Sequence, residues 1–281
     1  MATTARARFC AWALRLRCGP AGAAPRFYDG LMAPTPERAS VVVGKFDPAR
    51  VFPPDDPLTL PLLRLMLATD DVRHASMLFV MADRQVKDTT GVQQTLHGGQ
   101  MWYTFRLLCL HLRESGNALT TLTNSVAERR VMDLLKGRDD AVAALGRLRT
   151  AFGKDAFITR VRDAIGSHYQ QADIKRVYEQ DLEKGRVEGS LVACQVGGLS
   201  RFTMTDVLAL RLMDEAAGAD LASGGEEFAK RGGEVVAVAT DLTTFVGHLV
   251  DALLEERGQL EVRRDTIEVP VLLRAARDAL E

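Results

Sequence analysis

Residues 154–169 read KDAFITRVRDAIGSHY. Phe157, Val161, Ala164, Ile165 and His168 recur three and four residues apart, the apolar stripe of an amphipathic helix. The same period extends outward in both directions. Upstream, 138–152 predicts a helix that Gly153 stops, and 125–136 predicts another, with Ser125 as cap and Glu128 completing a capping box. Further back, 92–113 is a longer helical run in which Gly98-Gly99 predicts a break or kink. Residues 58–68 predict a first helix. Asp70 or Asp71 then caps a second, which carries Val72, Ala75, Leu78, Phe79 and Ala82.

Downstream, 173–184 predicts a helix with Asp173 as cap and Gly185 as stop. Residues 186–204, rich in Gly, Val and Ser, predict either a short hairpin or an extended strap. Helix returns at 206–216. The small and polar stretch 218–233 predicts a loop, and 234–257 a long apolar helix. Residues 259–269 read as strand or tail, and 271–280 as a last helix. No β–α alternation or internal repeat interrupts this series, so the fold class is all-α, a helical bundle with minor β or hairpin elements. Most of the ten prolines fall between Pro34 and Pro57, an irregular lead-in with a short strand at 41–43. The domain reading is an irregular segment at 1–55 and a helical bundle at 56–281.

A chain of 281 residues, 47% hydrophobic and 26% charged, has the composition of a folded protein. At that length a core forms without disulfides or metals. The 36 basic and 37 acidic residues leave a net charge of −1. That excludes the bulk basic character of a non-specific nucleic-acid coat but not a local basic site. Cys10, Cys18, Cys109 and Cys194 form no C-x-x-C pair. Cys109 and Cys194 lie in apolar runs, as buried free thiols of a reducing compartment do. No apolar run reaches the roughly 18–20 residues of a membrane span. In the first 31 residues five arginines face one acid, Asp29. The apolar stretch FCAWAL is cut short by Arg15 and Arg17, which excludes a secretory signal. An irregular N-terminus and an organellar transit peptide both fit what remains.

The motifs of several enzyme classes are absent: no phosphate-binding G-x-x-x-x-G-K-[ST], no G-x-G-x-x-G, no H-E-x-x-H and no G-x-S-x-G. Asp71-x-x-His74 supplies half of a di-metal bundle motif. A second such pair is missing, so neither a metal nor a cofactor is expected. His97, His111 and His248 fit no ligand spacing and read as structural. Arg129-Arg130 and Arg263-Arg264 read as solvated charge.

One short phrase carries chemistry. Residues 160–171 read RVRDAIGSHYQQ, in which Arg162 precedes His168 by six positions and polar Asp163 follows the arginine. The phrase resembles the Arg-x(4–6)-His signature of HEPN domains. RDAIGSHY is also similar to the corresponding segment of abortive-infection-type HEPN proteins. The resemblance covers residues 56–257, with its specificity in the phrase itself.

It implies a helical, metal-independent endoribonuclease of a defence or toxin system. Such a protein is cytoplasmic and dimeric, with RNA as substrate and an antitoxin or regulatory protein as partner. By resemblance His168 is the acid–base group, Arg162 the phosphate clamp and Asp163 the residue that orients one of them. A histidine titrating near neutrality suits proton transfer from a ribose 2′-OH. An arginine fork suits the charge that builds on a phosphate. On an ideal helix six residues turn about 600°, which places Arg162 and His168 roughly 120° apart. A kink at Gly166, or a two-fold dimer pairing Arg162 of one chain with His168 of the other, brings them together.

The competing reading is a non-catalytic helical module for protein or RNA interaction. In it Arg162 pairs with Asp163, Asp155 or an acid of a neighbouring helix, and a carbonyl satisfies His168.

Overall fold

The computed structural model describes residues 38–123, 125–154, 156–165, 171–183, 191–192, 201–202, 208–209, 211–215, 218, 226–257 and 261–268. The chain is predominantly helical. In order it runs β1 (Arg38–Lys45), α1 (Pro48–Val51), α2 (Thr59–Asp88), α3 (Gly91–Leu122), α4 (Ser125–Leu134) and α5 (Asp139–Ala151). Then come α6 (Phe157–Ile165), α7 (Gln171–Glu183), β2 (Leu191–Val192), β3 (Arg201–Phe202), α8 (Glu226–Arg257) and β4 (Glu261–Glu268). Residues 208–209 and 211–215 are also helical.

Three long helices run through positions where the sequence predicts interruptions, and buried stripes explain why. In α2 the buried set is Leu62, Leu65, Thr69, Val72, Ala75, Phe79 and Ala82, at steps of three and four. Asp70 and Asp71 therefore sit inside one helix and cap nothing. Thr69 stays helical by donating its hydroxyl to the Leu65 carbonyl at 2.7 Å. In α3 the stripe is Met101, Phe105, Leu108, Leu112, Ser115, Leu119 and Leu122, all buried in strict alternation of four and three. Helical glycine costs about 1 kcal/mol, whereas burying one Leu or Phe contributes about 1.5–3 kcal/mol. Helix α3 runs unbroken through Gly98-Gly99, with its buried stripe starting just beyond them at Met101.

The same balance carries α8 through Gly232-Gly233, so helix begins at Glu226 where a loop to Gly233 is expected. Phe228–Arg257 of α8 is also long and apolar enough to cross a membrane by length and composition, contrary to the reading that no run approaches a span. Just over half of its most apolar window, 56%, is buried within the protein.

The chain forms two compact units, divided inside these helices at Thr69/Asp70, Glu114/Ser115 and Ala239/Thr240 and inside α5 at Leu148/Arg149. In the first unit Val51, Leu62, Leu122, Val131, Leu135, Leu148, Leu242, Phe245 and Leu249 form a core that excludes solvent. Ion pairs tie α8 to its neighbours there. Arg147 grips Asp241 with two bonds of 2.9 and 2.7 Å. Arg130 holds both oxygens of Glu256, and Arg138 pairs with Glu255. Arg129 is exposed, and Arg130, with its side chain 36% exposed, is engaged across helices at the surface. Arg257 donates to the Val51 carbonyl and to Asp56.

Secondary structure begins ahead of the boundary drawn at residue 56. Asp47 caps α1 by accepting from the Ala49 amide at 3.0 Å, and Pro48 occupies the first helical position. β1 pairs antiparallel with β4 in a register running from Arg38↔Glu268 to Lys45↔Glu261. The strand expected at 41–43 is therefore longer, and 259–269 contains a strand rather than a tail.

The second unit is built on rings. Phe105 lies 5.5 Å from Phe79, 5.3 Å from Phe228, and 6.4 Å from both Trp102 and Phe157, centroid to centroid. These separations suit edge and tilted aromatic pairs. Within 186–204 the hairpin reading fits: Leu191 pairs with Phe202 and Val192 with Arg201, antiparallel. The segments 1–31 and 271–280 lie outside the described residues.

Candidate functional site

Helix α6 is short, and three residues place it. Ile158 and Val161 are buried, at 3% and 0% exposure, and Phe157 stacks on the aromatic cluster beneath Arg231, whose guanidinium carbon lies 5.2 Å from the ring centroid. Thr159 donates to the Gly153 carbonyl at 3.2 Å, which fixes the turn before the helix. With Val161 fully inside, Arg162 falls at the edge of the buried face and its side chain is 32% exposed.

Two carboxylates flank its guanidinium. Nη1 donates to Asp163 Oδ1 at 2.9 Å. Nη2 lies 3.7 Å from Glu114 Oε1 on α3, an ion pair beyond hydrogen-bond reach. Nε is buried and has no hydrogen-bond partner among the described residues. Asp163 accepts a bond from Arg162, and the neighbouring-helix acid in contact with Arg162 is Glu114.

The described part of this helix is shorter than the predicted 154–169. His168, Gly166, Tyr169 and Asp155 lie outside the described residues, so the distance from Arg162 to His168 is not part of this geometry.

The other singled-out residues do not converge. Asp71 and His74 do not act as a pair: Asp71 lies 3.7 Å from His111 on α3, while His74 Nδ1 sits 2.8 Å from the Asp70 carbonyl. His97 contacts Gln100 at 3.2 Å. No group of three metal-ligating side chains occurs among the described residues. Cys109 is buried and free, and burial pushes its thiol far above the ordinary range, which makes it inert.

Glu114 is the residue that the sequence alone does not single out. It follows Arg113 on a helix defined by its buried stripe, and no spacing rule links it to Arg162. Compared with protein-family models, curated proteins and solved structures, the chain matches none.

Proposed function

We propose that this chain is a HEPN-like, metal-independent endoribonuclease of a defence or toxin system. In this reading it acts in the cytoplasm as a homodimer. The observation that carries the reading is the 2.9 Å bond by which Asp163 orients Arg162, with that arginine at the edge of solvent on a helix of a largely helical chain. In the reaction a ribose 2′-OH attacks the adjacent phosphorus and the bond to the 5′-oxygen breaks. His168 moves the proton and Arg162 neutralises the phosphate oxygens. RNA is the substrate, and an antitoxin-like protein restrains it.

The test is cleavage of end-labelled RNA in EDTA by wild type, Arg162→Ala and His168→Ala. Wild type is expected to leave 2′,3′-cyclic phosphate ends, and each variant to lose about 10²–10⁴-fold in rate. Equal inactivity of all three on several RNAs overturns the reading.

That result favours the second reading, a non-catalytic helical interaction module, and one feature speaks for it. Arg162 already has two carboxylate partners, as a purely structural arginine does. In a module of this kind His168→Ala leaves partner capture unchanged.

A further inference from the structure

We propose that the outer edge of β1 is an interface between two copies of this chain. The two β1 strands pair antiparallel about a two-fold axis at Val42 and make one four-stranded sheet, ordered β4–β1–β1–β4. The proposal gives a place to the homodimer of the ribonuclease reading, but it rests on strand pairing alone, whether or not the chain cleaves RNA.

β1 and β4 form a sheet of two strands, and among the described residues no third strand joins it. A ribbon of two strands is marginal by itself, and added strands stabilise it. Each strand has one edge whose backbone N–H and C=O groups the ribbon's own ladder does not pair. The two edges differ. β4 reads EVRRDTIE, with Arg263, Arg264 and Asp265 at its middle. Charge in that place is how natural sheet edges avoid pairing with another strand. β1 reads RASVVVGK, with three valines at its middle, no proline, and charge only at its ends. The register sets those end charges opposite acids of β4, Arg38 against Glu268 and Lys45 against Glu261. The edge that β1 offers is therefore neutral overall, β-branched and unguarded.

The sequence of β1 decides what covers it. Two copies of one strand related by a two-fold axis perpendicular to the sheet pair antiparallel, and the residue on the axis stands opposite its own counterpart. With Val42 on the axis, Val41 stands opposite the partner's Val43, and Ser40 opposite the partner's Gly44. Lys45 stands opposite the partner's Ala39, and Arg38 falls outside the paired stretch 39–45, so no two cations face each other. Moving the axis to Val41 sets Val42 against serine and Val43 against alanine, and pulls Arg38 into the ladder. β4 has no equivalent solution at its middle, because an axis at Arg263, Arg264 or Asp265 sets like charge on like charge. A second copy of this chain is thus the occupant that β1 fits.

The test uses the full chain and two measurements. Val42→Glu sets two carboxylates against each other on the axis. Within the ribbon the same position stands opposite Arg264, so the β1–β4 pairing gains an opposite-charge pair. Sedimentation is expected to find wild type a dimer, and Val42→Glu to raise the dissociation constant by about tenfold or more with an unchanged circular dichroism spectrum. The second measurement is cross-linking by a short bismaleimide, with linked peptides identified by mass spectrometry and wild type, with its four cysteines, as background. Val42→Cys is expected to link position 42 to position 42. Ser40→Cys is expected to give no link between the two copies of position 40, which the axis places about 13 Å apart along the strands.

A wild type that stays monomeric at its highest soluble concentration overturns the proposal. So does a dimer that a folded Val42→Glu leaves intact, or one that links through position 40 in place of 42. If Val42→Glu does not fold, the cross-links alone decide. RNA cleavage enters neither readout, so failure here leaves the ribonuclease reading to its own test.

Discussion

Arg257 shows what one side chain does for the first unit. Its guanidinium reaches the Val51 carbonyl and Asp56 together, and both partners of the ion pair are largely buried, 16% and 17% exposed. Burial pushes the Asp56 carboxyl up. The Leu58 amide at 2.8 Å, Arg257 and more distant Arg130 outweigh it and hold the group below its ordinary value of 3.8. A carboxyl depressed in the folded state contributes stability that is present above the unfolded pKa and is lost as pH falls through the folded one. Asp56→Asn is therefore expected to be less stable than wild type at pH 7, by about 1.5–3 kcal/mol. The gap should begin to narrow as pH drops below about 4 and should close only below the depressed folded pKa of Asp56. Urea midpoints of both proteins across pH 7 to 3 measure it, and a gap independent of pH would contradict the assignment. The candidate site was partly legible at this scale. Arg162 and Asp163 are neighbours, so their bond is a local event that the sequence announces. Glu114 reaches Arg162 through the packing of α3 and α6, and no pattern within either helix encodes that meeting.

At the scale of elements, two glycines, one in the turn before α5 and one inside it, separate required from permissive. Gly137 closes the turn before α5 with φ at 79°, a left-handed conformation that an added Cβ resists. Gly146 lies within α5, and a Cβ there meets nothing within 4 Å. Gly146→Ala is expected to raise stability by about 0.4–1 kcal/mol, and Gly137→Ala to lower it by about 1 kcal/mol or more. Thermal melts of the two single variants check both signs. The helices themselves were legible because their period repeats over many turns: 138–152 and 173–184 differ little from α5 and α7. Helix continuity was not. Asp70-Asp71, Gly98-Gly99 and Gly232-Gly233 are genuine breakers over a window of a few residues. Asp70-Asp71 and Gly232-Gly233 are overruled by stripes with buried residues on both sides, and at Gly98-Gly99 helix continues although the buried stripe of α3 starts only at Met101. The pairing of β1 with β4 joins residues near opposite ends of the chain, which local pattern cannot foresee.

For the whole molecule, charge limits how RNA would be held in the proposed ribonuclease reading. With 36 basic and 37 acidic residues the chain has no general attraction for a polyanion, so any RNA affinity must come from a few placed cations and from contacts with sugar and base. Salt dependence counts those cations, since each phosphate neutralised on a single strand contributes about −0.7 to the slope of log K against log salt. A site built around Arg162, with Glu114 and Asp163 cancelling part of its field, implies a shallow slope, between about −0.7 and −2. Arg162→Ala should make it shallower by about 0.7, the share of one phosphate. Anisotropy titrations from 50 to about 300 mM salt measure both proteins under conditions where the Debye length changes severalfold less than the affinity of a many-phosphate binder would. A slope as steep as about −5, unchanged in Arg162→Ala, would move the binding surface away from α6 and onto basic stretches elsewhere in the chain. A slope near the expected value that falls by one phosphate on removing Arg162 ties that share of the affinity to its guanidinium.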